Sequence, residues 1–123
     1  MAKSLGLHVL LEFHGCPSER LEKTAFVEKV LMDSALASGA HIVETLFHQF
    51  NPYGVSGVIV ISESHFTIHT WPEHNYAAVD IFTCDEELDL EQAVKVLKEA
   101  FQPSSMQRVE MKRGIVEELP VPI

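Results

Sequence analysis

The chain begins with a segment in which apolar and polar side chains alternate. Apolar residues occupy every second position from Leu7 to Phe13, and His8, Glu12 and His14 fall between or beside them. Alternation with a period of two residues predicts a half-buried β-strand. Further β-rich runs cover residues 41–50, 55–62, 65–71, 76–84 and 107–113.

Two other segments follow the helical period. We expect Ser18 to cap a first helix, which ends at Gly39. The apolar side of that helix would carry Leu21, Val27, Val30, Leu31 and Ala37. Asp89 and Gln92 have the spacing of a capping box and start a second helix, which ends before Pro103.

The predicted element order is β-α-β-β-β-β-α-β, with short links between successive strands. Short links favour antiparallel neighbours. We therefore predict an α+β fold, a two-layer α/β sandwich in which an antiparallel sheet carries two helices on one face. By this prediction residues 1–123 form a single domain. The other face of the sheet, if apolar, would need a partner, and self-association as a dimer is the economical choice.

Composition then narrows the class of protein. Apolar residues make up 46% and charged residues 22%, as in ordinary globular proteins, and the net charge is −9. This charge argues against nucleic acid as a partner and is compatible with a cationic small ligand. No apolar run reaches the roughly 18–20 residues of a membrane helix, and the start is not a signal peptide. With only two cysteines as well, we expect a cytoplasmic protein.

The connection between the third and fourth predicted strands contains no glycine. It reads Ser62-Glu63-Ser64, whereas tight hairpins favour Asn-Gly, Asp-Gly or another pair with glycine. A serine held in strained backbone can attack the preceding carbonyl carbon and turn that amide into an ester. Loss of the serine α-proton would then split the chain and leave a pyruvoyl group, a ketone that can hold a substrate amine as a Schiff base. The plainer interpretation is that Ser62 and Ser64 are polar loop residues.

Two histidines and a cysteine are the next candidates for chemistry. His65 and His69 are four residues apart on one predicted strand and so face the same side. Such a histidine can act as a base, bind a metal or lie on a solvated face, and the spacing does not choose among these. Cys84 ends a predicted strand, where a buried structural thiol is the usual case. Within a site, a thiol is mostly protonated at neutral pH and can serve as an acid.

The aromatic residues nearest to these groups in the sequence are Phe50, Tyr53 and Trp71. Aromatic faces stack on planar bases and attract cations, although core packing is the commoner fate of any one ring. Glu73 follows Trp71 and is either a turn residue or an acceptor for ligand hydroxyls.

Three motifs together resemble the prokaryotic S-adenosylmethionine decarboxylase proenzymes, a pyruvoyl-dependent family. They are YGVSG, ISESHFTIHTWPE and DIFTC at the separations found here, and the resemblance extends over nearly the whole chain, from MAKSLGLHVLLEF onward. It implies self-cleavage between Glu63 and Ser64, which would give a β chain of residues 1–63 and an α chain of residues 64–123.

The resemblance also implies roles in processing and catalysis. Ser64 would become the pyruvoyl group, which is the only cofactor. His69 would assist elimination during processing, and Ser56 would hold or protonate the processing intermediates. Cys84 would be the acid that protonates the substrate α-carbon after carbon dioxide leaves.

For the substrate, the resemblance implies a nucleoside pocket. Phe50 would stack on the adenine of S-adenosylmethionine, Glu73 would hold the ribose hydroxyls, and Trp71 would form a wall of the same pocket. The implied reaction gives decarboxylated S-adenosylmethionine, the aminopropyl donor for spermidine biosynthesis, without a metal.

Two other functions stay open at this point. A related pyruvoyl decarboxylase could act on another amine-bearing acid such as arginine. A non-enzymatic metal-binding module could use His8, His48, His65 and His69 and would keep its chain intact. The chain also departs from the expected pattern at Leu7, where we expect a basic residue, and its C-terminal GIVEELPVPI resembles nothing distinctive.

Overall fold

The computed structural model describes residues 2–62 and 64–117, and within them the elements follow the predicted order. The strands are β1 (Ala2–His14), β2 (Ile42–Gln49), β3 (Val55–Ile61), β4 (Ser64–Trp71), β5 (Tyr76–Thr83) and β6 (Ser105–Glu117). The α-helices are α1 (Thr24–Ala37) and α2 (Leu90–Phe101), and 3₁₀ turns cover Ser18–Arg20 and Pro72–His74.

The strands form one antiparallel sheet in the order β2-β3-β4-β5-β1-β6. Each of β2 to β5 lies next to its neighbour in sequence, as short links require. The N-terminal strand β1 instead pairs with β5 on one side and with β6 on the other. Both helices pack on one face of this sheet, so the predicted two-layer α+β sandwich is confirmed.

The core lies between the sheet and the helices. Every second residue of the central strands points into it, and Val9, Leu11, Phe13, Phe66 and Ile68 are at most 1% exposed. Burial of each such side chain contributes about 1.5–3 kcal/mol. The helices meet the sheet through residues that include Val27, Leu31, Leu97 and Phe101.

The second predicted helix is confirmed in detail, but the start of the first is wrong. Asp89 caps α2 and accepts a hydrogen bond from the Gln92 N–H at 3.1 Å. Ser18 begins a 3₁₀ turn rather than the helix, and α1 begins at Thr24 after Lys23, whose side chain makes no cap hydrogen bond. Two residues expected on the buried side of α1 also differ, because Leu21 precedes the helix and Ala37 is exposed. The predicted end of α1 holds, with Gly39 at a φ of 90°.

The sheet face opposite the helices keeps large apolar side chains in solvent. Leu46 is 71% exposed, Val109 57%, Met111 53% and Val60 40%. Val60 pairs with His65 in the β3–β4 register. His69 lies four residues after His65 and so faces the same side of the sheet as these apolar residues. We call this surface the open face. It has the apolar character that the sequence-based expectation of a second subunit requires.

Candidate active site

Ser64 lies where the chain enters β4 and has an unusual backbone conformation. Its φ is 146°, a region that glycine adopts readily and that costs other residues about 1–3 kcal/mol. The preceding Ser62 donates its N–H to the His41 carbonyl at 3.0 Å, which fixes the end of β3. Glu63, which would contribute the carbonyl of the cleaved bond, lies outside the described residues. Strained backbone is therefore present at the predicted nucleophile.

Cys84 is a reactive side chain that lies beside Ser64. The Cys84 Sγ and the Ser64 Oγ are 3.6 Å apart, because Ser64 pairs with Thr83 in the β4–β5 register and Cys84 follows directly. Cys84 is exposed, so it is not the buried structural thiol that a strand-end cysteine usually is. That description fits Cys16, where burial raises the pKa of the thiol to about 11.

A cleft of about 630 Å³ opens beside Cys84. Leu7 lines it, so the position where we expected a basic residue faces the predicted site with an apolar side chain. Lys112 pairs with Leu7 in the β1–β6 register and lines the same cleft. The lining of the cleft therefore includes cationic side chains, Lys3 and Lys112, as well as the acidic Asp85 and Glu86, although residue 7 does not supply a cation.

Ser56 and His69 form a hydrogen-bonded pair on the open face. They are direct partners in the β3–β4 register, and the Ser56 Oγ is 2.8 Å from the His69 Nδ1. His48 pairs with Ser56 from the other side, on β2. The hydroxyl therefore fixes the orientation of the imidazole ring of His69 and leaves its second nitrogen available.

A cavity of about 260 Å³ lies against the Ser56–His69 pair. The three residues predicted to bind substrate, Phe50, Trp71 and Glu73, all line it. Phe50 is 47% and Trp71 39% exposed, so both rings are available to a ligand. The lining is completed by Tyr53, Gly54 and Thr70.

The predicted site residues fall into two groups within one chain. Ser64 and His69 lie toward opposite ends of β4, five positions apart, which is about 16 Å along the strand. We call the first group, Ser64 and Cys84, the serine end. We call the second group the histidine end, and it consists of Phe50, Ser56, His69, Trp71 and Glu73. The base predicted for processing is therefore out of reach of the nucleophile of its own chain.

Sequence reasoning missed a stack of rings at the histidine end. Trp71 stacks on Tyr76 with ring centres 5.2 Å apart, and Tyr76 stacks on His14 at 5.0 Å. The Tyr76 hydroxyl donates to the carboxylate of Glu12, and burial followed by this bond raises the pKa of Tyr76 to about 12. Each ring lies at the end of a predicted strand, but the register that stacks them cannot be read from one sequence. The stack holds Trp71 in the cavity wall.

The histidines proposed for a metal-binding module lie in two separate pairs. His48 and His69 flank Ser56, whereas His8 and His65 flank Phe82 with ring centres 6.0 and 5.8 Å away. Burial lowers the pKa of His65, and the neighbouring His8 lowers it further. Among residues 2–62 and 64–117, no three His, Cys, Asp or Glu side chains are grouped to hold a metal ion. The geometry gives this module no support.

Neither α1 nor α2 is long and apolar enough to cross a membrane.

A sequence-family model described as S-adenosylmethionine decarboxylase matches residues 7–114.

Curated relatives match along almost the whole chain. The S-adenosylmethionine decarboxylase proenzymes of Clostridium kluyveri and Caldicellulosiruptor saccharolyticus are each 50% identical over 115 residues, or 94% of this chain and 91% and 93% of theirs. The proenzyme of the same name from Thermotoga petrophila is 49% identical over 120 residues, 98% of this chain and 92% of the relative. A crystal structure of the adenosylmethionine decarboxylase from Aquifex aeolicus superposes with a TM-score of 0.88 at 30% identity, covering 98% of this chain and 99% of that one.

Proposed function

This chain belongs to the S-adenosylmethionine decarboxylase family, and we propose that it makes its own cofactor from Ser64 by cleaving its backbone between Glu63 and Ser64. It is an enzyme that converts S-adenosylmethionine to decarboxylated S-adenosylmethionine, the aminopropyl donor for spermidine biosynthesis. The mature form would consist of residues 1–63 and 64–123. The observation that carries the proposal is the positive φ of Ser64 directly beside Cys84.

Self-cleavage starts with attack of the Ser64 Oγ on the carbonyl carbon of Glu63. The amide C–N bond breaks, a C–O ester bond forms, and the Ser64 nitrogen becomes a free amine. Removal of the Ser64 α-proton then expels the Glu63 carboxylate and leaves dehydroalanine, which takes up water and releases ammonia to give the pyruvoyl group. The strain of about 1–3 kcal/mol at a positive φ disfavours the intact amide and so favours this path.

His69 is the base that we assign to removal of the α-proton. A histidine carries and releases a proton near neutral pH, which suits this step. The hydrogen bond between the Ser56 Oγ and the His69 Nδ1, 2.8 Å long, supports the assignment because it orients the imidazole ring. In the tautomer in which Nδ1–H donates to the hydroxyl, Nε2 is the nitrogen that accepts the α-proton. Ser56 would also be in position to donate a proton to an oxygen of the processing intermediates.

Substrate binding is assigned to the histidine end. Phe50 would stack on adenine, Glu73 would accept hydrogen bonds from the ribose hydroxyls, and Trp71 would close the wall. The cavity that these three residues share supports this assignment. The sulfonium of the substrate is a cation, and both the aromatic rings and the net charge of −9 favour it.

Decarboxylation is assigned to the serine end. When formed, the pyruvoyl group supplies a ketone that holds the substrate amine and accepts the electrons left by carbon dioxide. The Ser64 Cα becomes the ketone carbon, and the Cys84 Sγ lies 3.6 Å from the neighbouring Oγ. Cys84 is therefore well situated to return a proton to the substrate carbon.

A dimer would unite the two ends into complete sites. A two-fold axis parallel to the sheet plane and perpendicular to the strands reverses strand direction. If two open faces meet around such an axis, the partner's His69 approaches Ser64 of the first chain, and the reverse contact forms a second site. The exposed apolar side chains of the open face, Leu46 and Met111 among them, support this association. We propose that the active enzyme is at least a dimer with composite sites.

A mass spectrum of purified active protein tests the self-cleavage. We expect two chains, residues 1–63 and 64–123, the second with the mass of a pyruvoyl group in place of serine. Sequencing that finds a free Ser64 amino terminus in fully active enzyme would contradict the proposal. Carbon dioxide release from S-adenosylmethionine and from arginine, measured side by side, tests the substrate, and we expect release from S-adenosylmethionine alone.

A further inference from the structure

The side chain of Gln49 makes four hydrogen bonds to backbone groups next to the substrate cavity. Gln49 is the last residue of β2 and directly precedes Phe50. Its Oε1 accepts from the Thr24 N–H at 2.9 Å. The two hydrogens on its Nε2 are shared among three carbonyls, that of Glu22 at 2.8 Å and those of Phe50 and Gly54 at 3.1 Å each.

These bonds tie both ends of the 50–54 loop to the start of α1. The loop is closed by a hydrogen bond from the Phe50 N–H to the Gly54 carbonyl at 2.8 Å, and the Gly54 N–H donates to Glu22 at 3.1 Å. Lys23, at the N-cap position of α1, gives the helix no side-chain cap. The Gln49 Oε1 satisfies one free N–H of that helix end instead. The helix thereby becomes a rigid support for the loop.

Phe50 depends on this support because, within the described part of the chain, its ring is only partly buried. The side chain is 47% exposed, so core packing does not fix it. His48 touches one edge of the ring, with ring centres 4.6 Å apart. The loop backbone, which Gln49 anchors, therefore fixes the point from which the Phe50 side chain extends into the cavity wall.

We propose that Gln49 is a positioning residue that holds the 50–54 loop so that Phe50 and Tyr53 present their rings to the adenine of the substrate. The inference rests on the proposed function, because it assigns adenine to Phe50. Gln49 lies at the histidine end and touches none of the reacting atoms. Loss of its bonds should therefore weaken ground-state and transition-state binding equally, which raises KM and leaves kcat unchanged.

Gln49→Met tests the inference, because methionine keeps the length of the side chain and removes its amide. We expect KM for S-adenosylmethionine to rise about fivefold to tenfold, with kcat within about twofold of wild type, as the loss of one or two net hydrogen bonds predicts. Self-cleavage should be as complete as in wild type. The matched control is Gln92→Met on the exposed side of α2, which should change neither constant.

A binding measurement without chemistry separates this inference from the proposed function. In a Ser64→Ala background, 5′-methylthioadenosine is titrated while the fluorescence of Trp71, the only tryptophan, is followed. We expect Gln49→Met to raise the Kd by the same factor and to speed hydrogen exchange of the Phe50 and Gly54 amides. A Ser64→Ala parent that binds no nucleoside, together with an inactive wild type, would overturn the proposed function. A normal parent with unchanged KM and Kd in the Gln49 variants would overturn only the role of Gln49.

Discussion

Ser64 combines two properties that hairpin residues normally keep apart. Its hydroxyl is a nucleophile, whereas its φ of 146° belongs to the conformations that glycine adopts without cost. A glycine here would relax the turn but could form no ester. The strain is therefore coupled to the chemistry, and replacement of the serine separates the two effects.

Ser64→Gly and Ser64→Ala should both stay uncleaved, but they should differ in stability. Glycine relieves the positive φ and alanine retains it, so we expect Ser64→Gly to have the larger free energy of unfolding by about 1 kcal/mol or more. Urea denaturation of the two uncleaved proteins measures the difference. The control pair is Ser105→Gly and Ser105→Ala, at a strand position without a positive φ. There the glycine variant should have the smaller free energy of unfolding. Equal stability of the two Ser64 variants would remove strain from the processing mechanism.

The proposed roles of His69 and Cys84 can be separated by comparing cleavage with activity. His69→Ala should accumulate an ester that hydroxylamine cleaves, because Ser64 can still attack but elimination is slow. Cys84→Ala should still be cleaved but should lose roughly 10²–10⁴ in decarboxylation rate, as loss of a general acid predicts. A gel and an activity assay on the same samples decide this. Normal cleavage of His69→Ala beside an uncleaved Cys84→Ala would reverse the two roles.

His65 should make stability depend on pH. Burial and His8 lower its pKa in the folded chain, so below the usual value of about 6.5 the unfolded chain binds the proton first. The unfolded state then holds more protons, and the free energy of unfolding falls as the pH drops through this region. His65→Gln should flatten this fall, measured by urea denaturation between pH 7.5 and 5.5 at fixed protein concentration, whereas the exposed His41→Gln should not. Parallel curves for His65→Gln and wild type would contradict the shift.

At the level of whole elements, the sequence correctly predicted the features that depend on neighbouring residues in the chain. Among residues 2–62 and 64–117, six strands overlap the alternating first segment and the five predicted β-rich runs. Helix α2 begins at its predicted cap because Asp89 and Gln92 are three residues apart. The start of α1 was missed because its N-terminal Thr24 N–H is satisfied by Gln49, a residue 25 positions later. A contact of this kind leaves no local pattern. Ser18 has a capping side chain, but the chain uses it in a 3₁₀ turn.

Replacement of the two candidate caps checks this account of the helix ends. Asp89→Ala removes the acceptor of the Gln92 N–H and should lower the free energy of unfolding by about 1 kcal/mol. Ser18→Ala removes no cap bond and should cost less than about 0.5 kcal/mol. Denaturant titration of both variants gives the comparison. A larger loss from Ser18→Ala would mean that the serine stabilises the entry to α1 after all.

At the level of the whole molecule, the sequence predicted a set of candidate site residues but not their arrangement. The three motifs are adjacent along the chain, which suggests a single site, yet β4 carries Ser64 and His69 to opposite ends of the sheet. An extended strand creates this separation, because each residue adds about 3.3 Å along β4. What the sequence does not give is the register that places Cys84 beside Ser64 and Ser56 beside His69. The apolar open face offers the physical way to close the gap, since a second copy brings a complementary end to each site.

Co-expression of two inactive variants tests this composite site. A Ser64→Ala chain keeps its histidine end, and a His69→Ala chain keeps its serine end. In a mixed dimer, Ser64 of the second chain would meet the partner's His69, so the His69→Ala chain should be cleaved and decarboxylation should return, with one active site per mixed dimer. Different affinity tags on the two chains isolate the mixed species, and a gel identifies which chain was cut. The same tags on two Ser64→Ala chains serve as the control and should show no cleavage. If the sites lie within single chains, the mixed dimer stays whole and inactive, and the composite site is wrong.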